Sequence, residues 1–317
     1  MATPRRGGDW SCPKTGRIQP PATLTEYRPK CKHFFSSTPW TFPTGTLGAL
    51  TQDAHARADA VAEPLATLKA RAADAPPVRP FADALRDTHV RVIAEVKRAS
   101  PSKGPIAPGL DAADQARAYV RGGAAAISVL TEPTRFGGTL ADLEAVSRAV
   151  QAPAIRKDFL VHPVQLWEAR AVGASAVLLI VRALSPDELA RMMDAASEAG
   201  LATLVEIRDL GELERALAVN ATVIGVNNRN LETLVIDPAT APAIIPFIPA
   251  SCIAVAESGM RTVDDVAPAA AAGADAILVG SAISATSDPA ENVRILAGVS
   301  RRPLPRDAAS ARAALAR

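Results

Sequence analysis

The chain has 317 residues, 48% of them hydrophobic, and its 35 Lys and Arg against 33 Asp and Glu give a formal net charge of +2. That length allows one large core in one or two domains. No apolar run reaches the roughly 18 residues of a membrane-spanning helix, and three cysteines without a CxxC pair indicate neither a disulfide framework nor a zinc site, so we expect a cytoplasmic protein with no membrane partner.

Residues 1–48 differ in charge from the rest of the chain. They carry seven Lys and Arg against two acidic residues, 7 − 2 = +5, which leaves about −3 on residues 49–317. The basic excess therefore belongs to an N-terminal extension, and we expect no nucleic-acid-binding surface on the main domain. The extension lacks the apolar stretch of a secretory signal, while an organelle transit peptide stays open. Its Cys12, Cys31 and His33 are interpreted as scattered surface residues rather than metal ligands.

The rest of the chain alternates between strand and helix patterns. Helical spacing of Ala, Leu and charged residues predicts one helix over residues 46–73, ended by Pro76, Pro77 and Pro80. From residue 90 onward the recurring unit is a short apolar run, a polar tip, a loop and an amphipathic helix. The predicted strands are 90–96, 126–130, 153–155, 176–181, 202–206, 223–226, 253–256 and 276–279. The predicted helices are 111–120, 140–150, 164–172, 186–199, 210–219, 263–272 and 290–296, with a short or broken one in the proline-rich segment 238–249.

Glycines recur where helices meet strands. Gly123, Gly173 and Gly273 each end a helix before small residues that enter the next strand, and Asn220 takes the corresponding place once. Repeats of roughly 21 to 35 residues are typical of a βα array. Eight parallel strands predict an α/β fold, a (β/α)8 TIM barrel with an N-terminal helical extension. The barrel domain is expected over residues 49–300, after an N-terminal extension of unknown order (1–48) and before a C-terminal tail (301–317). The alternative is an open doubly wound sheet, and the missing Gly-x-Gly-x-x-Gly counts against it.

The first strand carries charge at its end. Glu95 and Lys97 are two residues apart and must point to the same face, while Val96 points to the other. Burying such a pair costs several kcal/mol per ion unless each ion finds partners, so we interpret the pair as part of an active site. In a barrel, that site lies at the C-terminal ends of the strands.

The other strand tips carry further polar residues. They are Thr131 and Glu132, Lys157 and Asp158, Arg182, Glu206, Asn227 to Arg229, Glu257 to Gly259, and Gly280 with Ser281. The Ser-Gly and Gly-Ser tips allow close backbone approach and predict a phosphate site. Lysines and glutamates beside a phosphate predict acid/base chemistry on a phosphorylated small molecule, with no metal and no cofactor.

Six segments carry a resemblance to a known family. They are 93–104 (IAEVKRASPSKG), 156–159 (RKDF), 204–206 (LVE), 225–231 (GVNNRNL), 256–259 (AESG) and 279–281 (VGS). In this order they resemble indole-3-glycerol phosphate synthase of tryptophan biosynthesis, from about residue 49 to 300, with Asn230 standing where the family commonly has Asp. The resemblance implies ring closure of 1-(2-carboxyphenylamino)-1-deoxyribulose 5-phosphate, with loss of CO2 and water, to indole-3-glycerol phosphate.

The resemblance also implies roles for individual residues. Lys157 is the implied general acid, and Glu206 is the implied general base, helped by Asn227. Lys97 is expected to hold the carboxylate and phosphate side of the substrate, and Glu95 to orient the lysines; which lysine acts in which step stays open. The other implied substrate contacts are Ser258, Gly259, Gly280 and Ser281 for the phosphate with Ser100 nearby, Phe136, Phe159, Leu231 and Leu234 for the anthranilate ring, and Arg229 and Glu257.

Further expectations concern the charged groups of this site. An acid at neutral pH requires the pKa of Lys157 to fall from about 10.4 towards 7 to 8, and we expect crowding by Lys97 to lower it. Arg229 is expected to brace its loop through salt bridges, with Asp158 paired to it or solvated. For Lys103, loop solvation and phosphate steering are equally favoured.

Two other functions fit parts of the pattern. A barrel resembling phosphoribosylanthranilate isomerase shares the Gly-Ser tips but gives no reason for Glu95, Lys97 and Lys157. A catalytically silent barrel that binds a partner is expected to have lost a charged tip, and none is lost. The sequence leaves the oligomeric state open, and a monomer is compatible with it.

Overall fold

The computed structural model of the protein describes residues 40–284, 286–301 and 306. Eight parallel strands pair in chain order, and the first also pairs with the last, which closes a barrel. The predicted TIM barrel is therefore confirmed, and the open sheet is wrong. We label the strands β1 (Arg91–Val96), β2 (Ala126–Leu130), β3 (Ala154–Lys157), β4 (Ala176–Ile180), β5 (Ala202–Ile207), β6 (Val223–Asn227), β7 (Ile253–Glu257) and β8 (Ala276–Val279).

Helices surround the barrel and precede it. In chain order they are α1 (Gly45–Asp59), α2 (Leu65–Asp74), α3 (Phe81–Ala84), α4 (Ala112–Arg121), α5 (Leu140–Ala149), α6 (Pro163–Ala171), α7 (Pro186–Glu198), α8 (Leu210–Ala218), α9 (Thr240–Ile244), α10 (Val263–Ala271) and α11 (Pro289–Ala297). The boundary predicted at residue 48 falls inside α1. The expectations for Cys12, Cys31, His33 and a transit peptide lie outside the described residues, as does most of the tail 301–317.

The single helix predicted over residues 46–73 is wrong, because two helices occupy that stretch. Helix α1 ends at Asp59, and Pro64, whose backbone is not helical (φ −58°, ψ 141°), stands immediately before α2. Proline has no N–H to donate within a helix and its ring clashes with the preceding turn. The Ala- and Leu-rich pattern on both sides hid this break.

Three strands continue one or two residues beyond their predicted apolar runs, into polar residues. β3 ends at Lys157, β6 at Asn227 and β7 at Glu257. The polarity of these residues predicts a loop, but their backbones still pair with the neighbouring strands. The register of β6 and β7, for example, places Asn227 opposite Glu257. The side chains of Lys157, Asn227 and Glu257 therefore extend from paired backbone, which holds them more firmly than a loop would.

The joints between helices and strands use left-handed backbone. Gly123, Gly173 and Gly273 have φ of +94°, +88° and +98°, and Asn220 has φ of +57°. Glycine adopts this conformation without a Cβ clash, and asparagine tolerates it. The predicted repeat is confirmed at all four positions.

Helix α1 lies over the C-terminal end of the barrel. Leu47 and Leu50 on its inner face are almost fully buried. Its first turn is tied to the loop after β6, because Thr46 N donates to the Glu232 carbonyl at 3.1 Å. No helix in the described part of the chain is long and apolar enough to span a membrane.

Candidate active site

A pocket of about 690 Å³, including its open mouth, occupies the C-terminal end of the barrel. It gathers side chains from seven strand tips or the loops after them, and from helix α1. The predicted site residues that line it are Glu95, Lys97, Ser100, Phe136, Lys157, Phe159, Glu206, Asn227, Arg229, Leu231, Leu234 and Ser258. Glu257 reaches the same charged cluster, whereas Gly259, Gly280 and Ser281 are not part of the lining.

Two lysines and three glutamates form the charged floor of the pocket. Lys97 Nζ lies 2.9 Å from Glu95 Oε1. Lys157 Nζ lies 3.6 Å from Glu206 Oε2 and 3.7 Å from Glu257 Oε2. Both lysine side chains are 16% exposed and the carboxylates at most 4%. Residues up to 162 positions apart in the sequence thus meet at one rim, as the alternation along β1 and the strand tips predicted.

The prediction that the pKa of Lys157 is lowered is wrong. Burial alone lowers it, but the carboxylates of Glu206, Glu257 and Glu95 outweigh burial and raise the pKa of Lys157 above its usual value. The sequence showed two lysines that could repel each other. It did not show that each lysine amine has a carboxylate oxygen within 4 Å.

Two glycines make room for buried carboxylates. A Cβ on Gly225 would meet Glu257 Oε1, and a Cβ on Gly280 would meet Glu95 Oε1. Gly280 was predicted to bind phosphate, and the structure gives it this second reason to lack a side chain. Burial raises the pKa of Glu95, but Lys97 and Lys157 outweigh burial and hold it below its usual value.

Glu257 is expected to make stability depend on pH. Burial, and next the Glu206 carboxylate, raise its pKa well above the usual value, although Lys157 opposes them. Above the unfolded pKa the unfolded chain has lost this proton while the folded chain retains it, so stability falls as pH rises towards the folded pKa. Glutamine mimics the protonated acid, and Glu257→Gln should raise the melting temperature over wild type more at pH 8 than at pH 5. A difference in melting temperature that shrinks as pH rises would contradict this assignment.

Asn227 orients the carboxylate of Glu206. Its Nδ2 donates to Glu206 Oε1 at 2.9 Å, and its Oδ1 accepts from the backbone N–H of Arg229 at 2.9 Å. The second bond fixes which side of the amide faces the carboxylate. Glu206 Oε2 is buried and accepts no hydrogen bond in the described residues, although Lys157 Nζ lies 3.6 Å away, so it keeps the capacity to accept a proton from a bound molecule.

The salt bridges predicted for Arg229 are absent from the described part of the chain. Its Nη1 instead donates to the Leu234 carbonyl at 2.9 Å, within the same loop. Leu234 has φ of +64°, a strained conformation for a branched residue, and this hydrogen bond helps to hold it. Asp158 is not paired with Arg229 or solvated; it binds Arg57 and Arg156.

Aromatic rings form one wall of the pocket. The centroids of Phe136 and Phe159 are 6.1 Å apart, and Lys97 Nζ lies 5.7 Å from the centroid of Phe136. Glu132, fully buried, accepts hydrogen bonds from the backbone N–H groups of Thr134, Arg135 and Phe136. Glu132 therefore shapes the loop that presents Phe136. The sequence by itself indicated only that Glu132 is a polar residue at a strand tip.

The residues predicted to bind phosphate follow β7 and β8. Ser258 and Gly259 have φ of +64° and +84°, so the chain turns sharply after β7. The Gly280 carbonyl accepts from the N–H groups of Ile283 and Ser284, which makes a compact turn after β8. Ser100 Oγ accepts from Lys103 N at 3.2 Å and faces the pocket from the loop after β1. Phosphate binding by these residues stays a prediction.

The contribution of helix α1 had no signal in the sequence. Thr46 and Leu50 line the pocket. The segment before α1 is held by Glu232, whose Oε1 accepts from Thr44 N at 2.7 Å and from Arg182 Nη2 at 2.9 Å. An amphipathic pattern gives the buried face of a helix, but it does not say which part of the barrel that face covers.

Solved structures match the fold at low sequence identity. The 3-hexulose-6-phosphate synthase of Salmonella typhimurium matches with a TM-score of 0.52 at 14% identity, over 66% of this chain and 97% of that one. Thiamine phosphate pyrophosphorylase from Pyrococcus furiosus matches with a TM-score of 0.50 at 18% identity, over 67% and 95%. Such identities show the shared fold alone.

Sequence comparison is more specific. The family model described as indole-3-glycerol phosphate synthase matches residues 50–296. Proteins named indole-3-glycerol phosphate synthase from Rhodococcus jostii and Nocardioides sp. are 51% and 52% identical to this chain, covering 75% and 74% of it and 88% and 90% of their own lengths. The chain belongs to the indole-3-glycerol phosphate synthase family.

Proposed function

We propose that the chain closes the indole ring of 1-(2-carboxyphenylamino)-1-deoxyribulose 5-phosphate, releasing CO2 and water to give indole-3-glycerol phosphate. The activity is that of its family, a carboxy-lyase of tryptophan biosynthesis. The observation that carries the assignment to this pocket is the pair of lysine–glutamate contacts, Lys97 with Glu95 and Lys157 with Glu206, that face one aromatic wall.

The first step joins the ring carbon that bears the carboxylate to the ketone carbon of the ribulose chain. Lys157 is proposed to donate a proton to the ketone oxygen as the new carbon–carbon bond forms, which neutralises the developing alkoxide. The three neighbouring carboxylates raise the pKa of Lys157 and so keep it protonated at neutral pH. The same shift makes it a weaker acid, so we propose that its proton passes to the oxygen only as that oxygen becomes an alkoxide, which is a far stronger base than the ketone. Loss of CO2 then returns the electron pair of the carbon–carboxylate bond to the ring and restores its aromaticity.

The last step eliminates the new hydroxyl group as water. Glu206 is proposed to take up the proton that the condensed ring loses, since its Oε2 accepts no hydrogen bond in the described residues and Asn227 holds the carboxylate in place. Lys97, supported by Glu95, is proposed to contact the substrate carboxylate and to serve as acid for the departing hydroxyl.

The pocket walls are proposed to hold the substrate folded. Phe136, Phe159, Leu231 and Leu234 supply an apolar slot for the anthranilate ring, and Ser258, Gly259, Gly280 and Ser281 receive the phosphate. Fixing both ends of a flexible ribulose chain brings the ketone near the ring carbon, which lowers the entropic part of the barrier. We propose that the enzyme works in the cytoplasm and as a monomer. Size-exclusion chromatography would check the monomeric state.

Purified full-length protein supplied with the carboxyphenylamino-deoxyribulose phosphate is expected to form indole absorbance with one CO2 released per turnover. Phosphoribosylanthranilate serves as the control substrate. Conversion of the control alone would instead favour the isomerase reaction. No conversion of either would favour the catalytically silent barrel.

A further inference from the structure

One guanidinium connects helix α1 to two strand tips. Arg57, near the C-terminal end of α1, donates from Nη2 to Asp158 Oδ1 at 2.8 Å, and its Nη1 lies 3.7 Å from Glu132 Oε1. Both carboxylates are at most 1% exposed, at the tips of β3 and β2. A planar fork with donors on two nitrogens can face both at once, which the single ammonium of lysine cannot do equally well.

Each of these carboxylates also fixes one ring of the aromatic wall. Asp158 Oδ1 accepts from the backbone N–H of Phe159 at 2.8 Å. Glu132 Oε2 accepts from the backbone N–H of Phe136 at 3.0 Å. The two carboxylates that Arg57 reaches are therefore the two that set the positions of Phe136 and Phe159.

Helix α1 itself contributes to the pocket lining. Its Thr46 and Leu50 line the same pocket as Phe136 and Phe159. The first turn of α1 is anchored by Glu232, and its middle by Gln165, whose Nε2 donates to the Ala54 carbonyl at 3.1 Å. Arg57 adds the contact from the last turn to the strand tips.

We propose that Arg57 is a positioning residue for the substrate: by joining α1 to the tips of β2 and β3 it sets the width of the slot between Leu50 and the rings of Phe136 and Phe159. Arg57 does not line the pocket and acts through these residues. The inference deepens the proposed function, because the slot is the proposed anthranilate site.

Loss of Arg57 should loosen α1 without unfolding the barrel. Asp158 would keep its hydrogen bonds from Thr131 Oγ1 at 2.8 Å and Phe159 N, together with its ion pair with Arg156. Glu132 would keep its three backbone donors. Because both carboxylates stay satisfied, the effect should appear in substrate binding rather than in the integrity of the fold.

The test compares Arg57→Gln with Lys69→Gln in the full chain. Lys69, on α2, pairs with Glu198 at 2.6 Å on the outside of the barrel, so its variant removes one cation from an ion pair outside the pocket. Arg57→Gln should raise KM about 10-fold with kcat within about threefold of wild type, since the lost interaction positions the substrate rather than stabilising the transition state alone. Arg57→Lys should recover part of the loss, and Lys69→Gln should change neither constant.

Hydrogen exchange of the substrate-free protein supplies a readout that needs no turnover. Amides of α1 should exchange faster in Arg57→Gln than in wild type, while those of β3 keep their protection. Unchanged KM, unchanged α1 exchange, or acceleration throughout the barrel would each overturn the proposal. If wild type forms no indole, the proposed function fails, and unchanged α1 exchange would overturn the Arg57 connection separately.

Discussion

Lys157→Ala is expected to lower kcat by about 10²- to 10⁴-fold, the range for removal of a positioned general acid. The Nζ atom lies within 3.7 Å of both Glu206 and Glu257, and an alanine side chain has no proton to donate to the ketone oxygen. KM should change much less, because the substitution leaves the aromatic wall and the tips proposed to bind phosphate unchanged. Steady-state rates of indole formation by the purified variant measure both constants.

Lys157→Arg is the matched control for this prediction. Arginine keeps the positive charge between the glutamates, but its delocalised guanidinium does not give up a proton in proteins. A rate that stays low in both variants supports acid catalysis by Lys157. Near-native turnover of the arginine variant would show that charge alone suffices, and near-native turnover of the alanine variant would remove Lys157 from the mechanism.

Glu206→Gln is expected to lower kcat by a similar factor of about 10² to 10⁴ while leaving the fold intact. The amide oxygen of glutamine can still accept the hydrogen bond that Asn227 donates at 2.9 Å, so the geometry of the tip is preserved. The substitution removes the carboxylate that is proposed to accept a proton, while the glutamine side chain keeps the size and shape of the glutamate side chain. Circular dichroism and melting temperature check the fold, and initial rates check the loss.

Glu206→Asp and the double variant sharpen this test. Aspartate keeps the base but withdraws it from Asn227, so its activity should lie between those of wild type and Glu206→Gln. Combining Lys157→Ala with Glu206→Gln should cost less than the product of the two single losses, since groups that act as a unit are not additive. Activity of Glu206→Gln within a few-fold of wild type would exclude Glu206 as the base.

Much of the site was predictable because a strand has a period of two and a barrel brings all its C-terminal strand ends together. Glu95 and Lys97 had to share a face, and the apolar runs placed Lys157 and Glu206 at the same rim. The structure brings the last two within 3.6 Å. The ends of some strands are mispredicted, as at Asn227 and Glu257, because a polar side chain indicates a loop even where the backbone remains paired in the sheet.

Electrostatic details were not predictable from the order of residues. The pKa of Lys157 depends on which charged groups are nearest, and in the structure three carboxylates outweigh burial. The sequence predicts salt bridges for Arg229, but in the structure its Nη1 donates a hydrogen bond to the Leu234 carbonyl. Differences of an ångström or two decide such outcomes, since charge interactions vary steeply at short range.

The sequence alone determined the barrel, the rim on which the chemistry lies and the residue types available there. Those properties follow from local periodicity and from repetition of one βα unit, which each segment carries by itself. Only the tertiary structure decided that α1 covers the rim, that Arg57 reaches Asp158 and Glu132, and that Gly225 and Gly280 make room for buried glutamates. These contacts join residues far apart in the chain, and their geometry is set by how helices pack on the closed barrel.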